Sequence, residues 1–158
     1  WFTYGNWPYR LGYENRKRLR GFYTRNEFNA WDTIQRVHWD QGLARKVGIQ
    51  SMYDIGPMRV MMLSHYLTNY AGDDGFVHRL KYEFRKFNYM GDTTWIEGKI
   101  TAVGVDAQLG PRIEVDLCGL NQRGQENIRG SATILCHSRE HGAFRLPQPP
   151  ALTEFRAV

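Results

Sequence analysis

Histidine is the side chain whose ordinary titration lies nearest neutral pH, so the five histidines of this chain are the first place to look for proton transfer. His38 has Asp32 shortly before it and Asp40 shortly after. An imidazole with carboxylates near it in sequence is a candidate for general acid–base chemistry. The competing reading of His38 is packing or capping at a helix start. Asp40 is expected to stabilise that helix start by its charge rather than to do chemistry. His137 and His141 have the spacing of a helical metal pair, but Ser138 and Gly142 put them at a strand exit, where a solvated pair and no metal are expected. His65 reads as a satisfied core or pocket-lining group, and His78 as a residue near a strand start at the surface. No Gly-x-Gly-x-x-Gly, phosphate loop, nucleophile elbow or cysteine-ligand array is present.

The elements that must carry these residues follow from apolar periodicity. Trp39 to Val47 predicts a short helix closed by Gly48, and Asn26 to Trp31 a turn of helix capped by Thr24. Pro57 to Tyr70 predicts a long helix, with Met58, Val60, Met61, Met62, Leu63, Tyr66, Leu67 and Tyr70 apolar on nearly every face, hence buried. Gly72 ends it, and Asp73-Asp74-Gly75 makes the following turn. The period then changes to two, predicting strands over Phe76–Phe87, Thr93–Val105, Arg112–Leu120 and Ile128–Ser138. Short turns separate them, so antiparallel pairing of neighbours is expected. The class is α+β, an antiparallel sheet wrapped around a long buried central helix.

Composition sets the outer limits. With 158 residues, 42% hydrophobic and 23% charged, the chain suits one compact domain. Such a length buries roughly 68–70% of its unfolded surface without a disulfide or metal. Cys118 and Cys136 fall in apolar strand-like runs and are expected to be buried free thiols in a reducing, cytoplasmic setting. No apolar run approaches the ~18–20 residues of a membrane span, and the first residues show no charged-then-apolar leader pattern. The net charge of +5 is concentrated in residues 1–25, where Arg10, Arg16, Lys17, Arg18, Arg20 and Arg25 face only Glu14 and are interleaved with aromatics. That segment reads first as a wrap over its own domain or a neighbouring subunit. Nucleic acid is a less favoured partner, and the phosphates of a nucleotide-bearing substrate a third. The expected layout is a basic, aromatic extension over 1–20, a domain over 21–146 and a Pro-rich tail over 147–158.

Two stretches resemble the MaoC-like acyl dehydratases and (R)-specific enoyl-CoA hydratases, a family with the hot-dog fold. Val37-His38 and, further on, Ala44 fit the end of the family signature Gly-Asp-x-Asn-Pro-aliphatic-His, and Ile55-Gly56 resembles its step into the central helix. Phe84 to Thr93, ending Gly91-Asp92-Thr93, and then Gly98-Lys99-Ile100-Thr101, are similar to its later strands. The pattern departs before the histidine. Thr33 stands where the catalytic aspartate falls, Gln35 at the asparagine and Arg36 at the proline, while Asp32 lies one residue early.

The resemblance implies a single hot-dog domain that hydrates or dehydrates an acyl thioester on coenzyme A or an acyl carrier. His38 and Asp32 would be the acid–base pair, the Gly56 backbone N–H the donor to the enolate oxygen, and Ile55, Met62 and Tyr66 the lining of the acyl pocket. Helix-start amides suit developing negative charge, although Pro57 has no N–H to add. It implies no metal or redox cofactor and at least a dimer, as a homodimer or with a heteromeric hot-dog partner. Two alternatives stand beside it: a hot-dog thioesterase, and a non-catalytic or half-site subunit, the latter motivated by Thr33 in place of aspartate.

Overall fold

A computed structural model describes residues 14–18 and 22–148 of the chain. Most of the extension expected over 1–20, and of the tail expected over 147–158, lies outside the described residues. The chain divides into two compact units, one ending at Ile55 and one beginning at Gly56.

In the first unit, strands β1 (Tyr23–Arg25) and β2 (Trp31–Thr33) pair antiparallel, with Thr24 opposite Asp32. The helical turn expected over Asn26–Trp31 is therefore corrected to a hairpin. Its cause is the Asn26 side chain, whose Oδ1 accepts the N–H groups of Phe28 at 3.1 Å and Ala30 at 3.0 Å. This local side-chain bonding outcompetes a helix, and Asn29 takes the left-handed conformation (φ 57°) that asparagine tolerates. A 3-10 helix, Ile34–His38, follows, and then helix α1, Gln41–Lys46. The single helix expected over Trp39–Val47 thus starts later. Asp40 caps it, its Oδ1 accepting Leu43 N–H at 2.9 Å, and Gly48 closes it at φ 86°. Val37 and Ala44 are buried.

The second unit opens with helix α2, Gly56–Ala71, and continues as β3 (Gly75–Phe84), β4 (Thr94–Asp106), β5 (Gly110–Asn121) and β6 (Glu126–Cys136). The four strands form one antiparallel sheet in the order β3-β6-β5-β4. Two tight turns make β4-β5-β6 a meander, as short connections require. The expectation that all sequence neighbours pair fails at β3 and β4, which occupy opposite edges. The segment between them crosses the β5–β6 end of the sheet and is bonded there: Arg85 N–H to Asn127 O at 2.9 Å, and Thr93 N–H to Gln122 Oε1 at 3.1 Å.

Helix α2 lies on one face of this sheet. Leu63 and Leu67 pack into a core with Val115, Leu117, Ile128, Ala132 and Ile134. Only the stripe Arg59, Leu63, Leu67 is buried, which corrects the expectation of burial all round. Met58, Met61, Met62 and Tyr70 are exposed, Met61 by 70%. One sheet face covers one side of a helix, so the remaining apolar side has no cover within the described residues. His65 is also exposed rather than in the core, its Nε2 bonded to Asn69 Nδ2 at 3.2 Å. Half-buried His78 lies at a bulge within β3. Cys118 and Cys136 are free thiols, half-buried rather than buried.

Candidate active site

His38 ends the 3-10 helix, and its ring is oriented from across the chain. Its Nδ1 lies 2.9 Å from the backbone oxygen of Tyr53, and the Tyr53 ring meets the imidazole edge-on at 4.5 Å between centroids. A carbonyl oxygen can only accept, so Nδ1 carries the hydrogen. The neutral ring then presents Nε2 as its proton acceptor. An imidazole held this way can serve as a general base.

Asp32, on β2, is differently engaged. Its Oδ1 accepts Thr33 N–H at 2.8 Å, and its Oδ2 lies 3.5 Å from Asn26 Nδ2 and 3.6 Å from Arg36 Nε. Among the described residues no hydrogen bond joins Asp32 to His38. Arg36 gathers the carboxylates instead: it pairs with Glu27 at 3.3 Å, with Asp32 and with Asp40, and its side chain is only 11% exposed. The Leu43 N–H, and after it Arg36, hold the Asp40 carboxyl below its ordinary range.

Of the other expected site residues, Ile55 belongs to the first unit, and Gly56, Met62 and Tyr66 to the second. Ile55 is exposed at the end of the first unit. Gly56 is the first residue of α2, where backbone N–H groups have no intrahelical acceptor. A Cβ there would stand 3.2 Å from Phe84 Cε2. Met62 is exposed. Tyr66 borders a cavity of about 360 Å³ with Leu67, Tyr70, Gly98, Ile100 and Val115. Its hydroxyl lies over Gly98, where a Cβ would come within 2.8 Å. His137 and His141 are exposed, and no cluster of three or more metal-ligating side chains occurs among the described residues.

Sequence reasoning missed Arg36 as a hub and Tyr53 as the ring's anchor. Asp32, Arg36 and Asp40 are spaced by four, a pairing signal that could have been read. Nothing local links Tyr53 to His38, fifteen residues away.

A four-stranded antiparallel sheet with a long helix across one face is the hot-dog fold, and the solved structures that match include MaoC-like dehydratases and (R)-hydratases. The chain is similar to the (R)-hydratase from A. caviae involved in PHA biosynthesis, at 18% identity and TM-score 0.55 over 63% of this chain and 74% of that one. It is similar also to the MaoC-like dehydratase from Rhodospirillum rubrum, at 17% identity and TM-score 0.55 over 71% and 75%. The ChsH1-ChsH2 complex from Mycobacterium tuberculosis matches at 17% identity and TM-score 0.56 over 84% and 87%. No family model and no curated protein sequence matches. No helix among the described residues is long and apolar enough to cross a membrane.

Proposed function

We propose that this chain is an acyl-thioester hydratase or dehydratase, adding or removing water at the α,β double bond of a coenzyme A or carrier-bound acyl group, with His38 moving the proton. The observation that carries this reading is the Nδ1–H bond from His38 to Tyr53 O, which leaves Nε2 as the base on a fold shared with (R)-hydratases. In the hydration direction Nε2 takes a proton from water as the water oxygen bonds to the β-carbon. The double-bond electrons move onto the thioester as an enolate. The enolate collapses as the α-carbon takes a proton, so water is added across the bond with no net charge. Because the Asp32 oxygens are already held by Thr33 and Arg36, this reading gives both transfers to His38.

The proposed assembly is a dimer of hot-dog units. Supporting it are the exposed apolar side chains of α2 and the edge strand β4, where Trp95, Ile100, Val103 and Val105 are exposed. A second reading, a partner subunit in a two-chain hydratase, is favoured by Thr33, Gln35 and Arg36 in place of the signature residues and by the fold's likeness to a two-chain complex.

Turnover of crotonyl-CoA and longer enoyl-CoA thioesters by the purified chain tests the proposal, alongside His38→Ala and Asp32→Asn. Activity lost in His38→Ala and largely kept in Asp32→Asn supports a single moving proton. Equal loss in both variants restores an Asp32–His38 pair. A chain inert on every thioester rejects the first reading in favour of the subunit, which co-purification with a second hot-dog chain then checks.

A further inference from the structure

Arg36 pairs with several carboxylates of the first unit, and it stands two residues before His38. Its guanidinium reaches three carboxylates from three segments: Glu27 in the β1–β2 turn, Asp32 on β2, and Asp40 at the cap of α1. Its backbone oxygen meanwhile accepts the N–H groups of Trp39 at 2.9 Å and Asp40 at 2.7 Å. Side chain and main chain of one residue thus both hold Asp40, closing a loop around Val37, His38 and Trp39. Val37 is buried inside it. A guanidinium presents five donors in a fixed fork, which suits it to several carboxylates at once; an ammonium concentrates its charge at one point.

We infer that Arg36 is a positioning residue for His38: the carboxylate-clamped guanidinium fixes the loop from which the imidazole reaches Tyr53 O, and Asp32 acts as a counter-ion of that clamp. The inference rests on the proposed role of His38 only where activity is the readout. Loosening the clamp lets the imidazole leave Tyr53 O, and a ring no longer held through Nδ1–H redistributes its hydrogen between the two nitrogens. Removing the guanidinium also leaves three carboxylates facing one another without a cation among them.

The test is nitrogen-15 histidine NMR on the full chain, with the His38 signals assigned by their loss in His38→Gln. The unmodified chain is expected to show the neutral ring with hydrogen on Nδ1. Arg36→Met is expected to mix the two tautomers, and Arg36→Lys to restore the native form in part. Should Arg36→Met not fold, Asp40→Asn carries the test, because its amide oxygen can still accept Leu43 N–H while the charge is gone. Tautomer mixing in Asp40→Asn supports the clamp, and an undisturbed Nδ1–H in the folded variants overturns it. On an active chain, Arg36→Met should lower kcat by about 10- to 100-fold with little change in KM, the size expected of a misplaced catalytic group. Adding Asp40→Asn, which alone should also lower kcat, to Arg36→Met should change kcat by less than about twofold, since both act through one device. Independent, multiplying losses would overturn the inference. If the unmodified chain turns over no thioester, the hydratase reading falls while the tautomer result still decides the role of Arg36.

Discussion

Arg123 holds Asp92 with both arms of its guanidinium, at 2.8 and 2.7 Å, and so fastens the β5–β6 turn to the segment that leads into β4. Gln122 Nε2 adds a bond to the same carboxylate at 2.7 Å, and Tyr89 N–H another at 3.0 Å. Beneath them, Asn127 Nδ2 donates to Thr94 Oγ1 at 2.7 Å, and the Thr94 hydroxyl to Asn88 Oδ1 at 3.0 Å. The crossing that separates β3 from β4 is held by polar contacts rather than by an apolar plug.

Acid should loosen this fastening. Hydrogen bonds from Arg123 first, then from Gln122 and Tyr89 N–H, lower the Asp92 carboxyl from 3.8 to about 2. A depressed carboxyl contributes stability that is fully present above its unfolded value and is lost as pH falls from about 4 toward 2. Urea titrations of the chain and of Asp92→Asn should differ by roughly 1–2 kcal/mol at neutral pH, reduced from the full linkage value because Arg123 is half-exposed to solvent. The difference should shrink through that acid window, and a gap that stays constant down to pH 2 would show that the pair contributes nothing by its charge.

At Tyr53 the backbone oxygen and the ring act separately on His38. Tyr53→Phe keeps both, so any loss of turnover in it reports on the hydroxyl alone. Tyr53→Ala keeps the oxygen and loses an edge-on ring contact worth about 0.5–1.5 kcal/mol, so kcat should fall about 2- to 12-fold. Steady-state kinetics on one enoyl thioester checks the order of the two variants.

Gly98 on β4 lies beneath the Tyr66 side chain of α2. A methyl group there would meet the Tyr66 hydroxyl at 2.8 Å and Val115 Cγ1 at 3.2 Å. Gly98→Ala should destabilise the chain by about 1–3 kcal/mol through overpacking, despite alanine's better strand propensity. Denaturant unfolding measures this. The same variant turns the phenol in the cavity wall and should alter the preferred acyl length, read as the ratio of kcat/KM between short and long thioesters.

Met61 tests the assembly. It is 70% exposed, so Met61→Glu should leave the chain folded while placing a charge on the apolar side of α2. Light scattering is expected to give a dimer mass for the unmodified chain and a monomer mass for the variant. Equal masses would remove this helix face from the interface.

Much of the second unit was legible in the sequence. All four strands lie within a few residues of their expected places, because alternation and Gly-rich turns are local signals. Strand order was not, since it rests on the long-range pairing of β3 with β6, which alternation does not record. The exposed side of α2 was misread for a related reason: apolarity says that a surface needs cover, and not whether the same chain supplies it. In the first unit Asp40 was legible as a helix-start charge. The hairpin at Asn26 was hidden by a side chain that competes with its own backbone. Of the candidate site, His38 was singled out from its type and motif. Its anchor at Tyr53 and the gathering of Asp32 by Arg36 lie in packing and pairing that a motif does not record.

The exposed rim of β4 has a consequence for the chain before it finds a partner. β4 runs from Thr94 to Asp106 and, among the described residues, pairs only with β5. Its first part carries Glu97 and Lys99 and a register shift between Ile100 and Ala102, features that discourage stray strands. Beyond the shift, Ala102-Val103-Gly104-Val105 has no charge until Asp106. A lone chain therefore carries a short, unguarded template for strand addition, and its shelf life in solution should fall as it is kept unpaired. Lysine at Val103, outward-facing and 77% exposed, would guard that stretch, trading partner affinity for resistance to aggregation.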